Sequence, residues 1–174
     1  WTLPALAGVY SHDVRFRMEV SDGRFASGFR ISPPFSVDRN KPPAVTIRNA
    51  APDYSQEKLN VGFTISDAES NPVSLRFEYS IDYGVTWETG APDRPLSAIS
   101  PSGYAGSFGW SYAERLKKGI DYFGVRIRLT PSDYKEGATA VSGLVRIDLN
   151  EPPVVVLEDI FNTQSGDVSF TYHL

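Results

Sequence analysis

Acidic and amide side chains cluster in two stretches of the sequence where a hard cation such as calcium could bind. The stretches are DAES and IDLNEPP, and their oxygen-bearing side chains are Asp67, Glu69, Asp148, Asn150 and Glu151. Calcium takes about six to eight oxygen ligands from groups of this kind. These five residues are therefore candidate calcium ligands. The alternative is structural, because Asp and Asn also end strands and cap turns.

One of two similar stretches favours calcium more than the other. IDLNEPP carries Glu151, whereas the corresponding stretch VDRNKPP carries Lys41 at that position. An ammonium group at such a site would repel a divalent cation. We therefore place the stronger calcium prediction at residues 148–151.

Residues that could form a catalytic site are few. The chain has no cysteine, and its two histidines, His12 and His173, are far apart in sequence. A nucleophile needs a base within hydrogen-bond reach, and a nitrogen-rich metal site needs several histidines. Asp67 and Glu69 form a carboxylate pair, but a glycosidase pair must flank a sugar cleft, which a narrow loop does not provide. The sequence predicts a protein that is not an enzyme.

The stretch SIDYGVTW has the spacing Ser-x-Asp-x-Gly-x-Thr-Trp, and its five defining residues are Ser80, Asp82, Gly84, Thr86 and Trp87. In a hairpin, Asp82 can accept hydrogen bonds from the backbone of its own turn, and Gly84 can adopt a positive φ. Trp87 can then pack the returning strand onto the sheet. The spacing resembles the Asp-box of sialidases, in which it is a turn remote from the active site. We predict a structural turn without a catalytic role.

Composition indicates a folded protein and argues against two classes of partner. Of the 174 residues, 41% are hydrophobic and 22% are charged, which is ordinary for a globular protein. The net charge of −4 and the absence of a basic run argue against binding to nucleic acid. No apolar stretch reaches the roughly 18 residues that a membrane span needs.

The sequence repeats itself with a period of 110 residues, measured from Pro43 to Pro153. VRFRMEVSDG and FSVDRNKPP match VRIRLTPSDY and VRIDLNEPP, and the stretches after each Pro-Pro also correspond. An immunoglobulin-like or fibronectin-type sandwich has about 100 residues. We predict the C-terminal part of one sandwich at 1–40, a complete sandwich at 41–150, and the N-terminal strands of a next one at 151–174.

Alternating apolar residues predict strands whose inner faces form the core. Helix is scarce, and SYAERLKKG at 111–119 is expected to form one or two turns. Outward Arg76, Glu78, Arg126 and Arg128 would form charge pairs if their strands are neighbours. The predicted inner faces are Leu59, Val61, Phe63 and Ile65; Val73, Leu75, Phe77 and Tyr79; Val125, Ile127 and Leu129; Val145 and Ile147; and, in the first unit, Val14, Phe16, Met18 and Val20.

The chain resembles the tandem immunoglobulin-like and fibronectin type III-like repeats of large bacterial surface and secreted proteins. The resemblance is carried by FTISDAESNPVSLRFEYSIDYGVTW, by VRIRLTPSD and by the VDRNKPP and IDLNEPP junctions. These junctions are also similar to those of cadherins, in which adjoining domains share calcium. The resemblance implies an all-β fold of tandem sandwiches and a structural or adhesive role at the cell surface. Its partners would be neighbouring repeats or like subunits, in a filament for example.

A second hypothesis is a carbohydrate-binding accessory module of a secreted glycoside hydrolase or sialidase-like enzyme. Tyrosine rings can stack on sugar rings, because one face of the residue is apolar. Six tyrosines in or beside predicted loops are the candidates, namely Tyr54, Tyr83, Tyr104, Tyr112, Tyr122 and Tyr134. Loop tyrosines also simply cover the ends of a sandwich, so glycans are an alternative class of partner.

Overall fold

The computed structural model describes residues 10–151, 153, 154 and 166. Apart from a 3₁₀ turn at Pro101–Gly103, these residues form strands and loops. Most of the unit expected at 151–174, and His173, lie outside the described residues. The strands are β1 (Tyr10–Val14), β2 (Arg17–Met18), β3 (Arg30–Ile31), β4 (Phe35–Asp38), β5 (Ala44–Asp53), β6 (Lys58–Ser66), β7 (Ser74–Ser80), β8 (Glu88–Thr89), β9 (Ala105–Ser111), β10 (Asp121–Ser132), β11 (Ala140–Val141) and β12 (Val145–Asp148).

Two antiparallel sheets enclose the core of residues 44–148. One sheet has the strand order β5-β6-β9, and the other has the order β11-β10-β7-β8, with β12 also paired to β10. Aromatic rings connect the sheets, because Phe77 lies 4.9 Å from Phe108, and Tyr79 stacks on Trp110 at 4.3 Å, measured between ring centroids. Such ring pairs contribute about 0.5–1.5 kcal/mol each beyond their buried area. The chain is thus all-β, and its antiparallel sheets are consistent with a β-sandwich.

The inner faces predicted within residues 59–147 are confirmed. Each of these side chains is at most 8% exposed, and Val61, Phe63 and Ile127 are completely buried. Full burial of one such side chain stabilises the fold by about 1.5–3 kcal/mol. The core also contains residues from irregular segments that no strand periodicity indicated, namely Leu96, Ile99, Tyr112 and Leu116.

The segment 112–119, expected to form one or two turns of helix, forms turns at 113–115 and 118–119 and no helix. The backbone amides of Arg115 and Leu116 both donate to the carbonyl of Tyr112. The turn seats Leu116, which is 4% exposed, against the end of the core. It therefore closes the sandwich after β9 and does not extend into a helix.

The apolar face predicted for residues 14–20 is not buried. Phe16, Met18 and Val20 are 40%, 69% and 71% exposed. Strand β2, which contains Met18, pairs with β3 alone, and no second sheet covers these side chains among the described residues. Alternation predicts a shared face, and burial requires in addition a partner layer.

Strand pairing in residues 10–38 has the same register as pairing in residues 121–148. Tyr10 pairs with Asp38 and Val14 with Phe35, with an irregularity between Ser11 and Val14. Asp121 pairs with Asp148 and Val125 with Val145, with an irregularity between Tyr122 and Val125. The two sets are offset by 110 or 111 residues.

Side-chain hydrogen bonds repeat with the strands. Phe16 donates its amide to the Ser32 hydroxyl at 3.0 Å, and Ile127 donates to the Ser142 hydroxyl at 3.0 Å. Each serine hydroxyl then donates to the carbonyl of the residue that follows it. The β2–β3 pairing likewise matches that of β10 and β11. The sequence repeat is therefore accompanied by a repeat of local structure.

The outer edge of β9 is covered by the chain segment that precedes it. The amide of Asp93 donates to the carbonyl of Gly109 at 2.8 Å, and the Asp93 carboxylate accepts from the Gly109 amide at 2.8 Å. Pro92 forms an isolated bridge with Trp110. Proline has no backbone N–H to offer a further strand, so this segment closes the edge of the three-stranded sheet.

Candidate functional site

The turn at residues 80–87 is built around the carboxylate of Asp82. It accepts a hydrogen bond from the Ser80 hydroxyl at 2.6 Å and one from the Thr86 hydroxyl at 2.5 Å. The Thr86 amide donates to it at 2.9 Å. Gly84 has a φ of 93° and donates its amide to the Ser80 hydroxyl at 2.8 Å. The motif residues therefore hydrogen-bond to one another, as the residues of a structural turn do.

These donors stabilise the charged form of Asp82. The hydroxyls of Ser80 and Thr86, followed by the Thr86 amide, lower the pKa of Asp82 to about 2. A carboxylate that accepts several hydrogen bonds is harder to protonate than one in water. The turn thus gains stability from ionised Asp82 at any pH above the usual range of aspartate.

Trp87 packs on the outer face of the five-stranded sheet. Its indole N–H donates to the carbonyl of Gly84 at 3.0 Å, and its ring lies 4.5 Å from the Arg128 guanidinium. Arg128 also donates to both oxygens of Glu78, at 2.7 and 2.8 Å. Arg128 is the main reason that the pKa of Glu78 is lowered. Since β7 and β10 are neighbours, the predicted pairing of charges between these strands is confirmed for Glu78 and Arg128, whereas Arg126 lies opposite Ser80.

The candidate calcium ligands lie at opposite ends of the sandwich. Asp148 pairs with Asp121, the first residue of β10. Asp67 lies near the other end of that strand, close to Tyr104 and Asp133. Burial raises the pKa of Tyr104, and the negative charges of Asp67 and Asp133 raise it further. Eleven steps along a strand span roughly 35 Å. Asp67 and Glu69 therefore do not share a site with Asp148, Asn150 and Glu151.

At the first of these ends, Asn40 links the two parts of the chain. Asn40 is 4% exposed. Its amide group donates to Asp133 at 3.0 Å, and its side-chain oxygen accepts from the amide group of Asn71 at 2.8 Å. The Asn71 backbone amide donates to Asp67 at 2.7 Å, and the Tyr104 hydroxyl donates to the Asn71 carbonyl. We call Asn40 and these four partners the Asn40 joint.

A lysine supplies positive charge beside the Asn40 joint. The Lys135 ammonium lies 2.6 Å from the Asp38 carboxylate and donates to the carbonyl of Asn40 at 3.0 Å. The sequence suggested Lys41 as the positive charge that would repel a cation at this junction, but Lys41 is exposed. Lys135 was missed because it is 95 residues from Asn40, and no local pattern brings the two together.

At the second end, an arginine neutralises the acidic residues. Arg146 donates to Asp148 at 3.0 Å and also pairs with Asp121. The Asp148 carboxylate further accepts from the Asn150 amide at 3.0 Å. Asn150 and Glu151 are both exposed. This end therefore holds the same Asp-x-Asn turn as residues 38–40, without a buried partner for its asparagine among the described residues.

Calcium binding stays a prediction at both ends. No group of three or more Asp, Glu or His side chains positioned to hold a metal ion occurs among the described residues. One carboxylate oxygen each of Asp67, Glu69 and Asp133 is nevertheless buried without a hydrogen-bond partner. These three oxygens are the place where calcium can be tested.

Of the six loop tyrosines that could stack on sugars, three are exposed. Tyr112 is completely buried, and Tyr104 holds the Asn40 joint. The Tyr122 hydroxyl accepts from the Lys117 amide. Of the three exposed ones, Tyr54 approaches Asp148 and Tyr83 lies against Gly124, both near the start of β10, whereas Tyr134 lies beyond the other end of β10, 6.2 Å from Tyr10.

Replacing Asp82 with asparagine should lower stability only where the carboxylate is ionised. The folded pKa of about 2 lies below the unfolded value of about 3.9, so stabilisation is complete above pH 4 and is lost as pH falls towards 2. We expect the difference in melting temperature between wild type and Asp82→Asn to shrink over that interval. Thr86→Val, which removes one donor, should move the loss to higher pH. A difference that stays constant down to pH 2 would contradict this account.

Adding a chelator tests whether calcium or Lys135 supplies the positive charge beside the Asn40 joint. Since Lys135 already pairs with Asp38, we expect the same melting temperature in calcium chloride and in EDTA, and a lower one for Lys135→Met. A ligand that binds the folded state alone raises its stability by mass action. A calcium-dependent rise in the wild-type melting temperature, abolished in Asp67→Asn, would instead assign calcium to this end.

Comparisons with protein-family models, with curated proteins and with solved structures found no match for the chain. The fold class therefore depends on the strand pairing and core of the chain itself. Within the part that the structure describes, no helix has the length and apolar character to cross a membrane.

Proposed function

We propose that the chain is a segment of a tandem array of immunoglobulin-like or fibronectin type III-like β-sandwiches, acting as a structural or adhesive element outside a bacterial cell. The observation that carries the proposal is the repeated register. Residues 10–38 pair as residues 121–148 do, with the same irregularity and the same serine hydrogen bonds. A β-bulge is a specific local feature of a strand pair, and its recurrence at a fixed offset supports duplication of one unit.

The Asn40 joint supports a mechanical role. A buried asparagine that bonds to two residues of the following sandwich restricts how the preceding strand can leave it. Pro42 and Pro43 follow immediately, and proline limits the backbone on both sides of itself. Gly137 adds a close approach, since a Cβ there would lie 1.8 Å from the Pro43 carbonyl oxygen. The start of the sandwich is thus held by polar bonds and by backbone contact.

The ammonium of Lys135 supplies positive charge at this joint. Asp38 precedes the joint and Lys135 belongs to the sandwich, so their 2.6 Å contact spans the junction. Both side chains are 36% exposed, so the pair contributes at most about 1 kcal/mol. Its main effect is to fix geometry, because the same ammonium also binds the Asn40 carbonyl. Neighbouring repeats of the chain, or like subunits, are the partners that such a joint would orient.

Truncating Asn40 should loosen the joint. Asn40→Ala leaves the side-chain amide of Asn71 without its acceptor, which costs about 1–3 kcal/mol, and removes one of the two hydrogen bonds to Asp133. We expect a lower free energy of unfolding and faster tryptic cleavage after Arg39. Asn150→Ala is the matched control, because Asn150 occupies the corresponding Asp-x-Asn turn but is exposed. Equal effects of the two substitutions would refute the role of the joint.

A chain with two consecutive copies of residues 41–150 tests the array directly. Asn150 of the leading copy then stands before Lys41, where Asn40 stands in the natural chain. We expect small-angle scattering to show an elongated particle of fixed length, and Asn150→Ala in the leading copy to loosen it. Scattering typical of two units on a flexible linker, with Asn150 intact, would argue against the array.

A further inference from the structure

The outer face of the three-stranded sheet carries an open groove of about 490 Å³. Its walls bear the exposed side chains of Arg48 and Asn49 from β5, Asn60 from β6, Ser107 from β9, and Asp93 and Arg94 from the covering segment. The apolar residues that line it, Val61 and Phe108, are 0% and 3% exposed and belong to the core beneath. The surface offered to a ligand is therefore almost entirely polar.

Two glycines keep the floor of the groove low. Strand pairing sets Asn49, Gly62 and Ser107 in one row across the sheet. The next row contains Asn60 and Gly109. Glycine inside a strand lacks a side chain to pack, and it often marks a place where a ligand or another chain approaches the backbone closely.

Polar side chains lie flat over these glycines. A Cβ on Gly62 would stand 2.1 Å from Oδ1 of Asn49, and one on Gly109 would stand 2.5 Å from Oδ2 of Asp93. The amide of Asn49 and the carboxylate of Asp93 therefore lie at floor level. A ligand in the groove would meet hydrogen-bonding groups at its base as well as on its walls.

Several of these groups are unpaired within the described chain. The side chains of Arg94, Asn60 and Asn49 have no hydrogen bond or ion pair there. Arg48 donates through one nitrogen to the Gly106 carbonyl at 3.1 Å and keeps its other donors. The groove thus presents two guanidinium groups and two amides that are free to bind a ligand.

The local charge is positive although the whole chain is acidic. Arg48, Arg94 and the adjoining Lys58 face one carboxylate, Asp93, which is already engaged by Lys58 at 3.7 Å and by the Gly109 amide. Arginine binds carboxylates through two parallel hydrogen bonds, and amides bind hydroxyl groups as donor and as acceptor. A ligand that combines carboxylates with many hydroxyls fits this set best.

We infer that the groove binds an acidic polysaccharide, in which uronate carboxylates pair with Arg94 and Arg48 and sugar hydroxyls bond to Asn49 and Asn60. A protein partner fits less well, because protein interfaces have an apolar centre. Single-stranded nucleic acid also fits less well, since its bases stack on exposed aromatic rings, and the groove walls have none. The site is separate from the tyrosines and from the Asn40 joint, so it goes beyond the structural role proposed above.

Titration calorimetry with polygalacturonate, and with neutral dextran as control, tests the inference. We expect binding to polygalacturonate that weakens as salt is added, and none to dextran. Arg94→Gln removes a charge-assisted pair and should weaken binding about tenfold. Asn60→Asp is nearly isosteric and places a negative charge in the groove, so it should weaken binding as well.

Matched substitutions outside the groove complete the test. Arg30→Gln and Asn150→Asp make the same chemical changes at exposed positions elsewhere, and both should bind as the wild type does. An unchanged melting temperature of Arg94→Gln and Asn60→Asp would show that these variants are folded. The inference is overturned if wild type does not bind polygalacturonate, or if the control substitutions weaken binding equally. Equal binding to polyadenylate, lost in the same two groove variants, would overturn the choice of sugar as ligand.

Discussion

The pairing of β10 is the constraint on which the other elements depend. This strand bonds to β7 along one edge, and along its other edge first to β12 and then to β11. The irregularity between Tyr122 and Val125 lies within the β12 pairing. Because β10 crosses the whole sandwich, its first residue, Asp121, lies at one end of the sandwich. Asp133, just after its last residue, lies at the other end. The turn at 80–87 is positioned by the same strand, through the stacking of Arg128 on Trp87.

At each end of the sandwich, acidic side chains form ion pairs with a basic side chain of the same chain. Lys135 pairs with Asp38 at one end, and Arg146 pairs with Asp148 and Asp121 at the other. Arginine forms a planar fork for two carboxylates, whereas lysine is a compact charge that also reaches a carbonyl. The ends are thus similar in backbone and different in chemistry. This difference is concentrated in residues outside the Asp-x-Asn turn itself.

Periodicity alone sufficed for the strands of the central sandwich, since alternation is a local property and its faces were buried as predicted. The same pattern was misleading at Met18 and Val20, where burial depends on a layer that the described residues do not supply. Tyr112 and Leu116 were missed because irregular segments enter a core through tertiary contacts. Asn40 and Asn150 have the same local motif, yet only Asn40 is buried, by partners 31 and 93 residues away. The groove could not be predicted from the sequence, because it is formed by residues on three strands that are brought side by side only by the pairing of those strands.

The segment with Pro92 and Asp93 that covers β9 limits pairing of this edge with other chains, which matters at high protein concentration. A free strand edge invites pairing with another chain, and such pairing is a route to aggregation. Pro92 contributes no donor, and Asp93 adds charge along the same edge. At the far side of the other sheet, β8 has two residues only, which is too short to template a neighbour. The β9 edge and the β8 edge are thereby protected against edge-to-edge pairing with another chain.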